Sequence, residues 1–256
     1  MPFAQLKDIR LHYQWVNENA SGPIIVFLHE ALGSIGQWKD FPELLCRATN
    51  CRGLIYERQG HGKSTGLTSV RTPNYMHDYA WKELPTLLNT LKIEEKVHLF
   101  GHSDGGSIAL LFAAKHPEKV NKVITEAAHV IVEDVTLNGI KPVREHFLSD
   151  PVFKEKLARY HFDNTESIFL AWCDTWLSPD FRNWDITQEI KSIQAPLLSF
   201  QGSDDEYGTH EQLDLIKKSV GQNVAVKEIA GCKHIPHLEK KEEVLELSHD
   251  FLVGSI

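Results

Sequence analysis

Val97-His98-Leu99-Phe100-Gly101-His102-Ser103-Asp104-Gly105-Gly106 decides how this chain is read. Val97 to Phe100 is a short apolar run of the kind carried by a strand covered on both faces. From Ser107 to Lys115, apolar residues recur at three- and four-residue spacing, and His116-Pro117 ends that helical pattern. A strand that feeds a helix through Gly101-His102-Ser103-Asp104-Gly105 predicts a tight turn that holds Ser103 in strained backbone angles with its hydroxyl exposed. A side chain at Gly101 or Gly105 would crowd the neighbouring strand and helix. At the helix N-terminus, free amides and partial positive charge favour a developing anion, so the amide of Asp104 is a candidate oxyanion donor. The plainer alternative is a βα turn with a capping serine.

The same rhythm extends outward. Pro23 to Leu28, Gly53 to Tyr56 and Val120 to Thr125 are further apolar runs, and Trp38 to Ala48 and Tyr75 to Leu91 show helical spacing between them. Strands alternating with helices predict right-handed βαβ units in an α/β fold with a doubly wound, mostly parallel sheet. Gln5-Leu6 and Ile9 to Trp15, split by Lys7-Asp8, read as an antiparallel hairpin at one edge. From Ala128 to Ile193 no strand-like run occurs, but amphipathic stretches and Trp172, Trp176 and Trp184 do. Strands resume at Pro196 to Phe200 and Val224 to Ile229, and Glu242 to Phe251 reads as a last helix. The expected organisation is a core of residues 1–127 and 194–256 with an inserted helical lid at 128–193.

Composition bounds the partners. With 256 residues, 42% hydrophobic and 24% charged, the chain can bury a sizeable core as one globular domain. A net charge of -8 argues against a phosphate-backbone partner, so no nucleic acid is expected. The opening residues show no charged region followed by an apolar one, and no apolar run approaches a membrane span, so the expectation is a cytoplasmic protein that does not engage a membrane. Cys46, Cys51, Cys173 and Cys232 lack CxxC spacing and read as reduced, buried thiols. The fourteen histidines form no zinc-ligand spacing, so neither a metal nor an organic cofactor is expected. A monomer and a weak homodimer both fit.

Five stretches together carry a resemblance: Leu28-His29-Glu30-Ala31, Glu57-Arg58-Gln59-Gly60-His61-Gly62-Lys63-Ser64, the turn at Ser103, Gly202-Ser203-Asp204-Asp205 and Lys233-His234. Over nearly its whole length the chain resembles the α/β-hydrolase superfamily, and the motifs are specific to superfamily and not to substrate. A serine needs an imidazole to take its proton and a carboxylate to orient that imidazole. The resemblance puts the acid at Asp205, with Asp204 as rival, and the base at His234, with His237 as alternative. Lys233 stands where a glycine is usual before the base, and Glu57 where an aspartate is usual. By position the second oxyanion donor is the amide of Ala31. Glu30 replaces the common glycine of that loop; it either faces the pocket and reads a cationic or hydroxylated substrate, or bonds local amides. Arg58 and His61 read as structural groups beside the oxyanion loop. Trp172 and Trp176 either pack the lid or line an apolar pocket.

These residues imply a serine hydrolase acting on a small-molecule substrate, foremost a carboxylic ester, through an acyl-enzyme. C–C bond hydrolysis of a vinylogous diketone, lactone hydrolysis and aminopeptidase action stay open. A ligand-binding receptor on the same fold is the alternative outside enzymes, one that a complete triad argues against.

Overall fold

The computed structural model describes residues 2–254. Its sheet runs β1 (Phe3–Leu6), β2 (Ile9–Val16), β4 (Arg52–Tyr56), β3 (Ile24–Leu28), β5 (Val97–His102), β6 (Val120–Glu126), β7 (Leu197–Gly202) and β8 (Val224–Ile229) in space. β1 and β2 pair antiparallel, as does β2 with β4, and every later pairing is parallel. This is the doubly wound, mostly parallel sheet that the apolar runs predict. β3, β5 and β7 are buried throughout because helices cover both their faces.

Two apolar layers sandwich the sheet. On one face α1 (Phe41–Thr49) contributes Phe41 and Leu45 beside Phe27 and Phe100, and the far C-terminal helix adds Val244 and Phe251. On the other face lie α2 (Tyr75–Asp78), continued by a π turn (Tyr79–Glu83) into α3 (Leu84–Thr90), and α4 (Asp104–Lys115), whose Ile108 to Ala113 are buried. Burying a side chain the size of Phe100 contributes roughly 2–3 kcal/mol, so these layers carry most of the fold's stability.

Between β6 and β7 the chain builds α5 (Asp134–Ser149), α6 (Pro151–His161) and α7 (Thr165–Trp176). Only an isolated antiparallel bridge, Ile131 to Asp185, interrupts the helical character of this segment. After β7 come α8 (Glu211–Val220), then β8, the short α9 (Pro236–Glu239) and α10 (Lys241–Val253). The helix expected from Trp38 starts instead at Phe41, because Lys39 takes φ 54 and closes a separate 3-10 turn, Ile35–Trp38. All four cysteines are free and buried. Among the described residues no helix is long and apolar enough to cross a membrane.

The parallel register aligns the carboxyl ends of the central strands: Leu28 faces Gly101, Gly101 faces Thr125 and His102 faces Glu126. In open α/β sheets that edge is where ligands bind.

Candidate active site

Ser103 follows β5 and precedes α4 with φ 52 and ψ -119, a conformation that a side-chain-bearing residue adopts only when its surroundings impose it. Two observations show what imposes it. The Ser103 amide donates to the Glu126 carbonyl at 2.9 Å. The glycines leave no room elsewhere: a Cβ on Gly101 would stand 2.3 Å from the Gly105 carbonyl oxygen, and one on Gly105 would stand 1.9 Å from that of Leu28. Sequence and geometry thus agree on a tight strand-to-helix elbow.

His234 Nε2 lies 3.0 Å from Ser103 Oγ, and its Nδ1 lies 2.8 and 3.0 Å from the two carboxylate oxygens of Asp205. Because a carboxylate only accepts, the proton sits on Nδ1 and leaves the Nε2 lone pair directed at the serine hydroxyl. Burial by itself would depress the imidazole pKa, but the hydrogen bond and charge of Asp205, with Glu30 adding, raise it above the ordinary value. Burial pushes Asp205 up and His234 more than reverses it, so that carboxyl is held below its usual range. The Tyr207 amide also donates to Asp205 at 2.8 Å.

The rivals lie elsewhere. Asp204 is exposed, and it accepts from the hydroxyl of Ser203 at 3.2 Å while its amide caps Cys232. His237 is buried against Trp38 and Phe41, with Nδ1 donating to Glu126. Lys233, in place of the usual glycine, keeps its side chain exposed while its amide donates to Glu239 at 2.8 Å, so the loop carrying His234 accommodates it.

The loop after β3 is held from below. Arg58, fully buried, donates to the carbonyls of His29 at 2.6 Å and Glu30 at 2.8 Å, and His61 Nε2 donates to that of Ala31 at 3.0 Å. Glu57 accepts from the Ile35 and Lys63 amides at 3.2 and 2.7 Å, which ties the two loops together. Among the described residues no acceptor takes the amide of Ala31 or of Asp104, so both remain available to an oxyanion. Glu30 Oε2 accepts from the Leu32 amide at 3.0 Å, as the local reading expects, yet Glu30 also lines the cavity beside Ser103, as the functional reading expects. Burial raises its pKa.

That cavity holds about 420 Å³. Ser103, His234, Ala31 and Asp104 line it, together with the apolar side chains Ile140, Val143, Phe153, Leu157, Trp172 and Trp176 from the helical segment. Trp176 also donates Nε1–H to the Tyr75 hydroxyl at 3.0 Å, which donates to Asp104 Oδ2 at 2.6 Å. Among the described lining residues the charged side chains are Glu30, Asp104, Glu206 and Glu239 besides histidine; no Lys or Arg faces the space. A larger cleft of about 630 Å³, between residues 67–73 and α7, contains none of these groups, so size does not locate the chemistry.

Sequence reading missed Tyr207, whose ring lies 4.9 Å from that of His234, and the buried His129, 6.0 Å from it. Burial lowers the His129 pKa to about 4, so it is neutral at pH 7. It also missed His102 and Glu126, which with His237 bring possible metal-ligand atoms within 4.8 Å of one another. Glu126 is already engaged by His237, and His102 Nε2 donates to the His234 carbonyl at 2.8 Å. The two-residue offset of Tyr207 from Asp205 and the adjacency of His102 to Ser103 were the signals the sequence offered.

The alpha/beta hydrolase fold family matches residues 23–182, more than half of the chain, and the chain belongs to that family. An sn-1-specific diacylglycerol lipase of Mus musculus is 30% identical, over 97% of this chain and 87% of its own. A proline iminopeptidase of Lactobacillus helveticus is 23% identical, over 98% and 96%. Among solved structures, the enol-lactonase from Burkholderia xenovorans superposes with a TM-score of 0.78 at 19% identity, covering 98% of this chain and 99% of that one, a likeness of fold.

Proposed function

We propose that this protein is a serine hydrolase that cleaves carboxylic esters through an acyl-enzyme, with Ser103 as nucleophile, His234 as base and Asp205 as its orienting acid. The observation that carries the reading is the continuous chain from Ser103 Oγ to His234 at 3.0 Å and from His234 to Asp205 at 2.8 Å. His234 takes the serine proton as Oγ attacks the carbonyl carbon, and the amides of Ala31 and Asp104 hold the resulting oxyanion. His234 then gives its proton to the departing alcohol. Water, deprotonated by the same imidazole, releases the acid and restores Ser103.

In this reading residues 128–193 act as a lid over a core of 1–127 and 194–256, and Trp172 and Trp176 hold the acyl or aryl group against the apolar lining. The charge of the cavity favours esters over C–C hydrolysis: a vinylogous diketone bearing a carboxylate would meet Glu30 and Glu206 with no Lys or Arg among the described lining residues to pair it. Neutral and cationic acyl groups suit these walls, which keeps lactones and aminoacyl substrates within reach of the same machinery.

The test is hydrolysis of a p-nitrophenyl ester series of increasing acyl length, with Ser103→Ala beside the parent. Turnover that disappears in the variant and peaks at one chain length supports an esterase with a bounded pocket. A parent inert to every ester sinks the ester assignment, and equal turnover in the variant sinks the nucleophile.

A further inference from the structure

Beside the triad lie three polar side chains to which the mechanism above gives no step, and one of them, His102, also borders the cavity. His102, Glu126 and His237 are 2%, 0% and 3% exposed, and the two imidazoles pack beside Trp38 and Phe41. A buried carboxylate with two imidazoles is a costly way to fill such a layer; apolar residues of equal volume there are commonly neutral or stabilising. Their hydrogen bonds point to another use.

His102 bonds the base residue, the Glu126 backbone bonds the nucleophile, and His237 is tied to both only through Glu126. Glu126 ends β6, and its backbone carbonyl accepts the Ser103 amide at 2.9 Å while its carboxylate accepts the His237 amide at 3.2 Å and His237 Nδ1–H. His102 ends β5, is bonded covalently to Ser103, and donates Nε2–H to the backbone carbonyl of His234 at 2.8 Å. Two adjacent strand ends in register therefore each hold the nucleophile with one hand and the base loop with the other. Burial holds His102 well below the ordinary imidazole pKa, so it stays neutral and keeps the one proton this bond requires.

We propose that His102, Glu126 and His237 are positioning residues that set the reach from His234 Nε2 to Ser103 Oγ. The inference rests on the nucleophile and base assigned above. A misplacement near 1 Å costs about 100-fold in rate, so loss of this clamp acts on turnover and not on substrate binding.

Isosteric pairs separate positioning from packing. Asn presents its amide where histidine has Nδ1, and Gln where it has Nε2. His237→Asn and His102→Gln therefore retain kcat within about threefold, whereas His237→Gln and His102→Asn lower kcat by roughly 10- to 100-fold, with KM within about twofold. Equal losses within each pair, or parent-like kcat in His237→Gln and His102→Asn, would overturn the proposal. Should a histidine variant fail to fold, Glu126→Gln keeps the shape and one acceptor: a fall of about tenfold in kcat at constant KM supports the clamp, and parent-like kcat refutes it. Fluorophosphonate labelling of the parent is run alongside. An unlabelled parent brings down the assignment of Ser103 itself, whereas a labelled parent with parent-like variants removes only the clamp.

Discussion

Asp205 Oδ1 stands 2.8 Å from His234 Nδ1 and, on its other side, 2.8 Å from the Tyr207 amide. One carboxylate is thereby locked by its own loop while it orients the imidazole. Replacing it by Asn removes the negative charge that stabilises the imidazolium and puts an amide NH2 in place of Oδ2 opposite Nδ1, which disfavours the Nδ1–H tautomer. Asp205→Asn is expected to lower kcat by about 10³- to 10⁴-fold. Asp204→Asn, at an exposed turn, stays within about twofold. Steady-state kinetics on one good ester decide the matter, and the reverse ranking would move the acid to Asp204.

The pH dependence follows from the same pair. The base acts only when unprotonated, and its pKa is raised, so kcat/KM falls as pH drops through a value above the ordinary ~6.5 of imidazole. Glu30→Gln removes one of the charges that raise it, and the limb then moves toward lower pH. A limb that stays put in Glu30→Gln, measured from pH 5 to 9, contradicts the assigned coupling.

Glu30 also bears on selectivity. With a carboxylate in the wall, an ester carrying a negative acyl group is disfavoured against a neutral one of equal length. Glu30→Gln is expected to raise the kcat/KM ratio of a monosuccinate ester to a butyrate ester by roughly five- to tenfold, about 1 kcal/mol at the effective dielectric of such a site. An unchanged ratio means that Glu30 serves the Leu32 amide alone.

Gly105→Ala tests the elbow as a steric object. Its new Cβ would fall within 2.5 Å of both the Leu28 and His29 carbonyl oxygens, which are backbone and cannot swing aside. The expected cost is at least about 3 kcal/mol, read as lost soluble protein or a large drop in thermal midpoint. A variant as stable as the parent would show that β3 and α4 are not so closely apposed.

How much of this was legible beforehand depended on how local each feature is. The elbow is written in ten consecutive residues, with the strand, the glycines and the helix all adjacent, so Ser103 could be read directly. Proposing Asp205 and His234 needed the family resemblance, because nothing near them in the sequence separates Asp205 from Asp204 or His234 from His237; only in the fold do Asp205 and His234 lie within hydrogen-bond reach of each other. The clamp of Glu126 on His237 was out of reach, since it depends on β5 and β6 pairing His102 with Glu126 and on a loop more than a hundred residues later folding back upon them. Glu30 remained divided between two readings because a side chain at a loop can bond its neighbours and face a cavity together, and here it does both. The break at Lys39 was invisible for a similar reason: apolar spacing continues across it although the backbone does not.

The central claim is that Ser103 is an activated nucleophile. Its most direct measurement is exposure of the protein to a fluorophosphonate, followed by mass spectrometry of the peptides. A single phosphonyl adduct on Ser103, slowed by roughly 100-fold or more in His234→Ala and absent in Ser103→Ala, is the predicted result. An adduct on another residue, or an unlabelled protein that is otherwise folded, would contradict it.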